Sequence, residues 1–478
     1  MNALLKDNKI IAKLRSFFEG AYYPIALGVV AILCYVCSLP VLGLTIFALT
    51  AAFVCFFCED TRPALANALL FFRTFRYRYD GEAYTTTTAL CVFCVAGGAL
   101  LASMVFRLIK TKYIPQRRTL LFSFLALSAA YFIGGIGSEY YSSKSFLLAL
   151  ADVGIFLGLY LFFSFTLPHR EDNFVYFSRI CAVALCVISL QMLDLYFRVY
   201  EKGMALDSDF KEYKVRLGWA ISNHVGELMA MLLPAVFYLI YKEKHGCWYY
   251  TVVIVACVAM YFTLCRIALL CAFIIVAAGM IVNSIFHPRK RLHIILALSV
   301  LAAVLLFVLI LSLNGKAGDF FYFFFEAGLS DRGRYKLWDV CMDIFKENPI
   351  FGASFSVYPT LKVQAKVLST AHNTLVQMLS GTGIVGTILY CGHRAHTVWM
   401  VLRKPTLDRL FMSACVLTAL VMGLVSSMFF LFYSLFYYTV ILTLLEKSVE
   451  AEPTIKQAWE EKRLKKQSKK AEQPLKDK

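Results

Sequence analysis

Apolar runs of about 18 or more residues recur along most of this chain, and a helix needs about that length to cross the hydrocarbon of a bilayer. The runs near 145–167, 176–198 and 267–286 are typical. The chain has 478 residues, 60% of them hydrophobic and only 17% charged, and its mean hydropathy of +0.66 excludes a soluble globular protein. The in/out alternation of a membrane barrel is absent. The expected class is an all-α polytopic membrane protein with about 12 transmembrane helices and one long, partly helical extracytoplasmic loop before the last three. No signal peptide is expected, because Met1 to Gly20 is basic and mildly amphipathic and no small-residue cleavage site follows the first apolar run.

The net charge of +17 would suggest nucleic acid in a soluble chain. Here it lies mostly in short segments between apolar runs and in the Lys-rich tail, which is the positive-inside pattern. Lys110-Thr-Lys with Gln116-Arg-Arg, Pro168-His-Arg, Tyr241-Lys-Glu-Lys, His287-Pro-Arg-Lys-Arg, His393 to Arg403 and the tail from Lys447 then read as cytoplasmic. The expected organisation is a basic cytoplasmic N-terminus over 1–20, a helix bundle over 21–313, a long extracytoplasmic loop over 314–373, further membrane helices over 374–446 and a charged cytoplasmic tail over 447–478. The stretch Ala21 to Cys58 is long for one crossing and short for two, and one is preferred. Four segments are expected outside: Glu59 to Gly81, Ser138 to Lys144, Tyr200 to Gly218 and the long loop. In that loop Ser330 and Asp331 can cap a helix through Lys346 with Trp338, Cys341, Met342 and Phe345 on one face. Asn348-Pro349 stops it, Gly352 permits a tight turn, and a second short helix is expected before Thr370.

Cys34/Cys37, Cys55/Cys58 and Cys91/Cys94 have CxxC spacing but lie in or beside apolar runs without surrounding His or charge, so they read as packing residues. Of eight histidines, six fall in the basic turns; His224 and His372 remain on the outer side. His372 stands where the chain re-enters an apolar run. It can cap that helix, or titrate near neutral pH and move a proton. Arg266 lies between two apolar runs with no other charge nearby, and no carboxylate of an apolar run is an obvious partner. Because a guanidinium cannot shed its proton, it must face a polar interior, a structural partner or an external anion. Arg216 enters from the same side, and Arg334 begins the loop helix one turn before Trp338. Each arginine alone can be an interface snorkeler. Three together with a His suit a diphosphate, whose oxygens the planar guanidinium fork matches in pairs. A helix N-terminus at His372 adds to that field.

Four segments carry a resemblance: Arg216-Leu-Gly-Trp-Ala-Ile-Ser-Asn-His followed by Leu232-Leu-Pro; Thr263-Leu-Cys-Arg266; Arg334-Tyr-Lys-Leu-Trp338 followed by Asn348-Pro-Ile-Phe-Gly352; and Ala371-His-Asn-Thr-Leu375 followed by Gly381-Thr-Gly-Ile-Val-Gly386. In order and separation they resemble the O-antigen ligase and O-antigen polymerase superfamily. These membrane enzymes take glycans from undecaprenyl diphosphate outside the bacterial cytoplasmic membrane. Cys265 and Ser222-Asn223 depart from the Ser and the Pro-Asn pair that the family often carries. The resemblance implies a metal-independent, inverting glycosyltransferase with no cofactor, acting on an undecaprenyl-diphosphate-linked glycan and an acceptor glycan or glycolipid. It implies Arg216 and Arg266 on the diphosphate, His372 on the acceptor hydroxyl, and Arg334, Asn373, Trp338 and His224 as further substrate contacts. The aromatic run Phe320 to Phe325, with Trp338 and Tyr358, suits sugar stacking or lipid anchoring.

Two other readings stay open on the residues alone. A metal-dependent lipid-phosphate glycosyltransferase would use Glu59 and Asp60 as an outer acidic pair. A non-enzymatic flippase or transporter of lipid-linked oligosaccharide would need intramembrane charges in both halves and repeat symmetry.

Overall fold

A computed structural model describes residues 9–76, 87–111, 118–201, 217–314, 334–355, 361–363, 366–368, 371–403, 405–426 and 431–450. Its helices are α1 (Lys9–Phe18), α2 (Tyr23–Val36), α3 (Pro40–Phe57), α4 (Arg62–Leu70), α5 (Thr87–Lys110), α6 (Thr119–Ile133), α7 (Ser143–Thr166) and α8 (Asn173–Tyr200). They continue as α9 (Ser222–Lys242), α10 (Tyr249–Tyr261), α11 (Arg266–Phe286), α12 (Lys290–Leu313), α13 (Arg334–Glu347), α14 (Thr374–Leu402), α15 (Leu407–Gly423) and α16 (Phe432–Glu450). Seven are long and apolar enough to cross a membrane, or eight when the pair α1–α2, bent by 82°, counts as one. The chain is a multi-pass membrane protein, and by length and composition the described residues do not reach twelve spans.

The single crossing expected over 21–58 is corrected. Ser38 takes a left-handed φ of 54°, Pro40 restarts the chain, and two helices result. Proline suits the first turn because its missing N–H has no partner to lose there.

α9 is the hub. Its residues from Val225 to Ile240 are buried, because the helix is apolar on every face and packs against α8, α10, α11 and α15. A helix apolar all round belongs inside a bundle. Outer helices leave large side chains exposed instead, such as Leu298, Leu301, Leu305 and Leu309 of α12, which suits a lipid environment as apolar as leucine.

The antiparallel α8–α9 pair defines the two ends of the bundle. At one end Arg179 of α8 pairs with Glu243 just past α9, at 2.8 Å. The same end holds Glu59, paired with Arg15 at 2.6 Å, and Asp60, paired with Arg62 at 2.7 Å and Arg170 at 3.3 Å. Arg62 also meets Asp172 at 2.6 Å, and Arg107 donates to the carbonyls of Cys58 and Glu59. Glu59 and Asp60 therefore sit with the basic turns, not with the outer segments. The short α4 and the turn after it carry the chain toward the other end, where Arg73 stacks 3.7 Å from the Trp219 ring. The segment expected wholly outside is thus split between the two ends.

The long loop also differs from expectation. Its helix is present as α13, but the seam it buries is Leu337 and Cys341, with Val340 and Ile344, against Ala371 and Val376. A hairpin, β1 (Leu361–Val363) with β2 (Lys366–Leu368), stands where a second helix was expected. After α13 the chain dips into the bundle, and Ala353, Ser354 and Phe355 are buried. α14 breaks there at Gly383 (φ 64°, ψ −167°). The N–H groups of Ile384 and Val385 donate to Pro349 and Ile350 carbonyls at 2.9 and 3.2 Å, and Ala353 N–H donates to Ser380 O at 2.9 Å. Backbone groups freed at membrane depth must find such partners. A Cβ on Gly383 would lie 2.3 Å from Ile350 O, and one on Gly352 2.4 Å from Gly381 C. That interlock is the physical reason for the Asn348–Gly352 and Gly381–Gly386 motifs.

Candidate active site

Thr263 and Cys265 form a tight turn between α10 and α11. Thr263 Oγ1 donates to Met260 O at 2.7 Å and accepts from Cys265 N–H at 3.2 Å. Leu264 within it holds a φ of 52°, and Arg266 follows as the first residue of α11, half-buried. Gly226 of α9 lies so close that a Cβ there would stand 2.7 Å from Thr263 Oγ1. The first turns of α9, with His224 half-buried, are thereby pressed against the Arg266 turn.

The start of α14 is fixed separately. Asn373 caps it, its Oδ1 accepting from the N–H groups of Leu375 at 2.9 Å and Val376 at 3.2 Å, while its Nδ2 donates to Leu424 O at 2.9 Å. Thr374 Oγ1 donates to Ser426 O at 2.9 Å, and Trp338 Nε1 donates to Ala371 O at 2.9 Å. His372 is held between these anchors, half-buried, with a φ of 52°. That conformation costs a non-glycine residue roughly 1–2 kcal/mol. Among the described residues three non-glycines have φ in this region, Ser38, Leu264 and His372, and the latter two flank this site. Backbone strain of this kind clusters at active sites and ligand clamps.

Arg334 stands exposed at the head of α13, at the same end of the bundle as His372. Burial, and then Arg334, push the His372 pKa below the ordinary imidazole value of 6.5. The imidazole is therefore neutral at neutral pH, the form that accepts a proton.

Arg266, His224, Arg334, Trp338, His372 and Asn373 thus share one end of the bundle, opposite the Glu59–Asp60 end. Asn373 is engaged as the helix cap and satisfies the N–H groups of Leu375 and Val376 at the start of α14. The Trp338 indole N–H is likewise committed to Ala371, which leaves the ring face, edge-on to Tyr335 at 5.5 Å. Arg216, Phe320 to Phe325, Tyr358, Ser330 and Asp331 lie outside the described residues.

Sequence reasoning missed Glu227. It lies in α9, 3% exposed, with Oε2 accepting from Ser426 Oγ at 2.9 Å. It is an apolar-run carboxylate at the same end of the bundle as Thr374 and His372. Its signal was available as the one acidic residue in the run from Trp219 to Ile240, since an ionisable group inside a span marks function by default.

Most of these residues fall within one stretch of sequence. Residues 251–391 match the O-antigen ligase family. The matched stretch contains Arg266, Arg334, Trp338, His372, Asn373 and both halves of the Gly352–Gly383 interlock. It leaves out the first 250 residues, including Arg216, His224 and Glu227. No curated protein matches the chain. The O-antigen ligase match and the apolar helices together support a glycan-transferring membrane enzyme of surface-polysaccharide biosynthesis.

Proposed function

We propose that this protein transfers or polymerises glycan from an undecaprenyl-diphosphate donor onto an acceptor hydroxyl. The transfer occurs at the outer face of the bacterial cytoplasmic membrane, without a metal and with inversion at the anomeric carbon. The observation that carries this reading is a strained, half-buried His372 that shares one end of the bundle with Arg266 and Arg334, all three inside the stretch that matches the O-antigen ligase family. The acceptor is a glycolipid or a second lipid-linked repeat unit.

In this reading Arg216 and Arg266 grip the diphosphate and Arg334 adds to the clamp. The acceptor O–H gives its proton to the His372 imidazole as its oxygen forms the new bond to sugar C1. The C1–O bond to the diphosphate breaks at the same time, and its electron pair leaves on undecaprenyl diphosphate. Guanidinium groups fixed where that charge grows lower the barrier, and a phosphate leaving group needs little acid help. In the same reading the first turns of α9 and the ring of Trp338 bound the sugar.

The metal-dependent alternative loses support because Glu59 and Asp60 are held in ion pairs at the opposite end. Vesicles containing the purified protein, an undecaprenyl-diphosphate-linked glycan and an acceptor are expected to form product at an undiminished rate in EDTA. Activity lost in EDTA and restored by magnesium contradicts the metal-independent mechanism. Absence of transfer under every condition contradicts the function.

A further inference from the structure

We propose that α1 is an interfacial helix that lies in the plane of the cytoplasmic leaflet and holds anionic phospholipid there. Ile10, Leu14 and Phe17 sit among the acyl chains, and Lys9 and Lys13 meet the phosphates. The inference does not depend on the transfer chemistry. It begins with the bend. α1 meets α2 at 82°, and α2 packs along α8, a helix long and apolar enough to cross the bilayer. A helix at that angle to a crossing one runs along the membrane rather than through it. Charge excludes a loop dipping into hydrocarbon, because Lys9, Lys13 and Arg15 fall within its ten residues and each is costly at that depth. α1 is tied at interface depth instead. Arg15 pairs with Glu59 at 2.6 Å, and Glu19, just past the helix, accepts from the Glu59 and Asp60 N–H groups at 2.8 and 3.2 Å. Those acids belong to the end that carries the basic turns, which the positive-inside pattern assigns to the cytoplasm.

The helix then has two apolar faces with different partners. Phe18 is buried, its ring 5.0 Å from Tyr23 and 4.7 Å from Phe53, and fastens α1 to the bundle. Ile10, Leu14 and Phe17, spaced four and three residues apart, form a second stripe. They are 71%, 42% and 49% exposed. Lys9 and Lys13 border that stripe and are exposed as well, while Ala12 and Ser16 lie on the side away from it. An apolar stripe edged by lysines suits the boundary between headgroups and acyl chains. The hydrocarbon side chains sink just below the headgroups, and the ammonium groups stay at phosphate level. The cytoplasmic leaflet is rich in anionic lipid, so each lysine adds attraction there.

The test places a photoreactive phenylalanine at position 14 or, as a control, at position 12 of the full chain. The protein is illuminated in vesicles of mixed phosphatidylcholine and phosphatidylglycerol, and the adducts are identified by mass. The label at 14 is expected to attach mainly to lipid, with phosphatidylglycerol enriched over its share of the vesicle, and the label at 12 to give few lipid adducts. Lys9→Gln combined with Lys13→Gln lowers that enrichment about fivefold or more, the attraction of at least one surface lysine. All the substituted side chains are exposed, so the fold is left intact. Cross-links from position 14 to this chain or to a second copy overturn the proposal, as do lipid adducts equally frequent from 12 and 14. An enrichment that the double variant leaves unchanged overturns it too. None of these outcomes bears on whether the protein transfers glycan.

Discussion

Replacing His372 with alanine is expected to lower transfer by about 10²–10⁴-fold, the usual contribution of a positioned general base, while leaving the amount of protein in the membrane unchanged. The fold should tolerate the change because the neighbours of His372 hold the turn. Asn373 caps α14, Thr374 reaches Ser426, and Trp338 reaches Ala371. Alanine keeps only the cost of the left-handed backbone, roughly 1–2 kcal/mol, which histidine already bears. Normal product from this variant would remove His372 from the mechanism. The same residue sets a pH signature. Burial and Arg334 both disfavour imidazolium, so the proton-accepting form persists as pH falls past 6.5, and the acid limb of kcat/KM lies below that value. Arg334→Gln removes one of the two causes and should move the limb upward. A limb that stays put shows that Arg334 does not act on His372.

Changing Arg266 to lysine is expected to reduce turnover by about 10²-fold, or about 2.7 kcal/mol of transition-state stabilisation. Lysine keeps the charge at the same half-buried position after the Thr263–Cys265 turn. An ammonium, however, is a point charge and cannot present two parallel N–H groups to paired phosphate oxygens. Near-normal turnover in this variant would reduce Arg266 to a plain charge.

Much of this site was legible because its chemistry is expensive in a membrane. An arginine between apolar runs, or a histidine where the chain re-enters one, stands out against leucine and valine, and Arg266 and His372 both fall at the same end of the bundle. The Asn348–Gly352 and Gly381–Gly386 motifs were also visible, although their mutual embrace was not. It depends on backbone hydrogen bonds across some 30 residues, which no local pattern encodes. The α13 seam was misread because Trp338 and Phe345 are larger than Leu337 and Ile344, and size alone does not say which side of a loop helix meets the bundle. The end of the bundle holding Glu59 and Asp60 was missed because α4 is too short and polar to register as a passage between the two ends. Glu227 was passed over for the opposite reason, being a single acid inside a run whose apolar character dominated the reading.

The most direct test carries a photoreactive group beside the diphosphate of an undecaprenyl lipid, cross-links it to the protein in vesicles and maps the modified peptides. Adducts are expected in three separate stretches, around Arg266, around Arg334 and around His372, all suppressed by excess unlabelled lipid diphosphate. Adducts confined to one of the three, or gathered at the Glu59–Arg62 and Arg170 end, would contradict it.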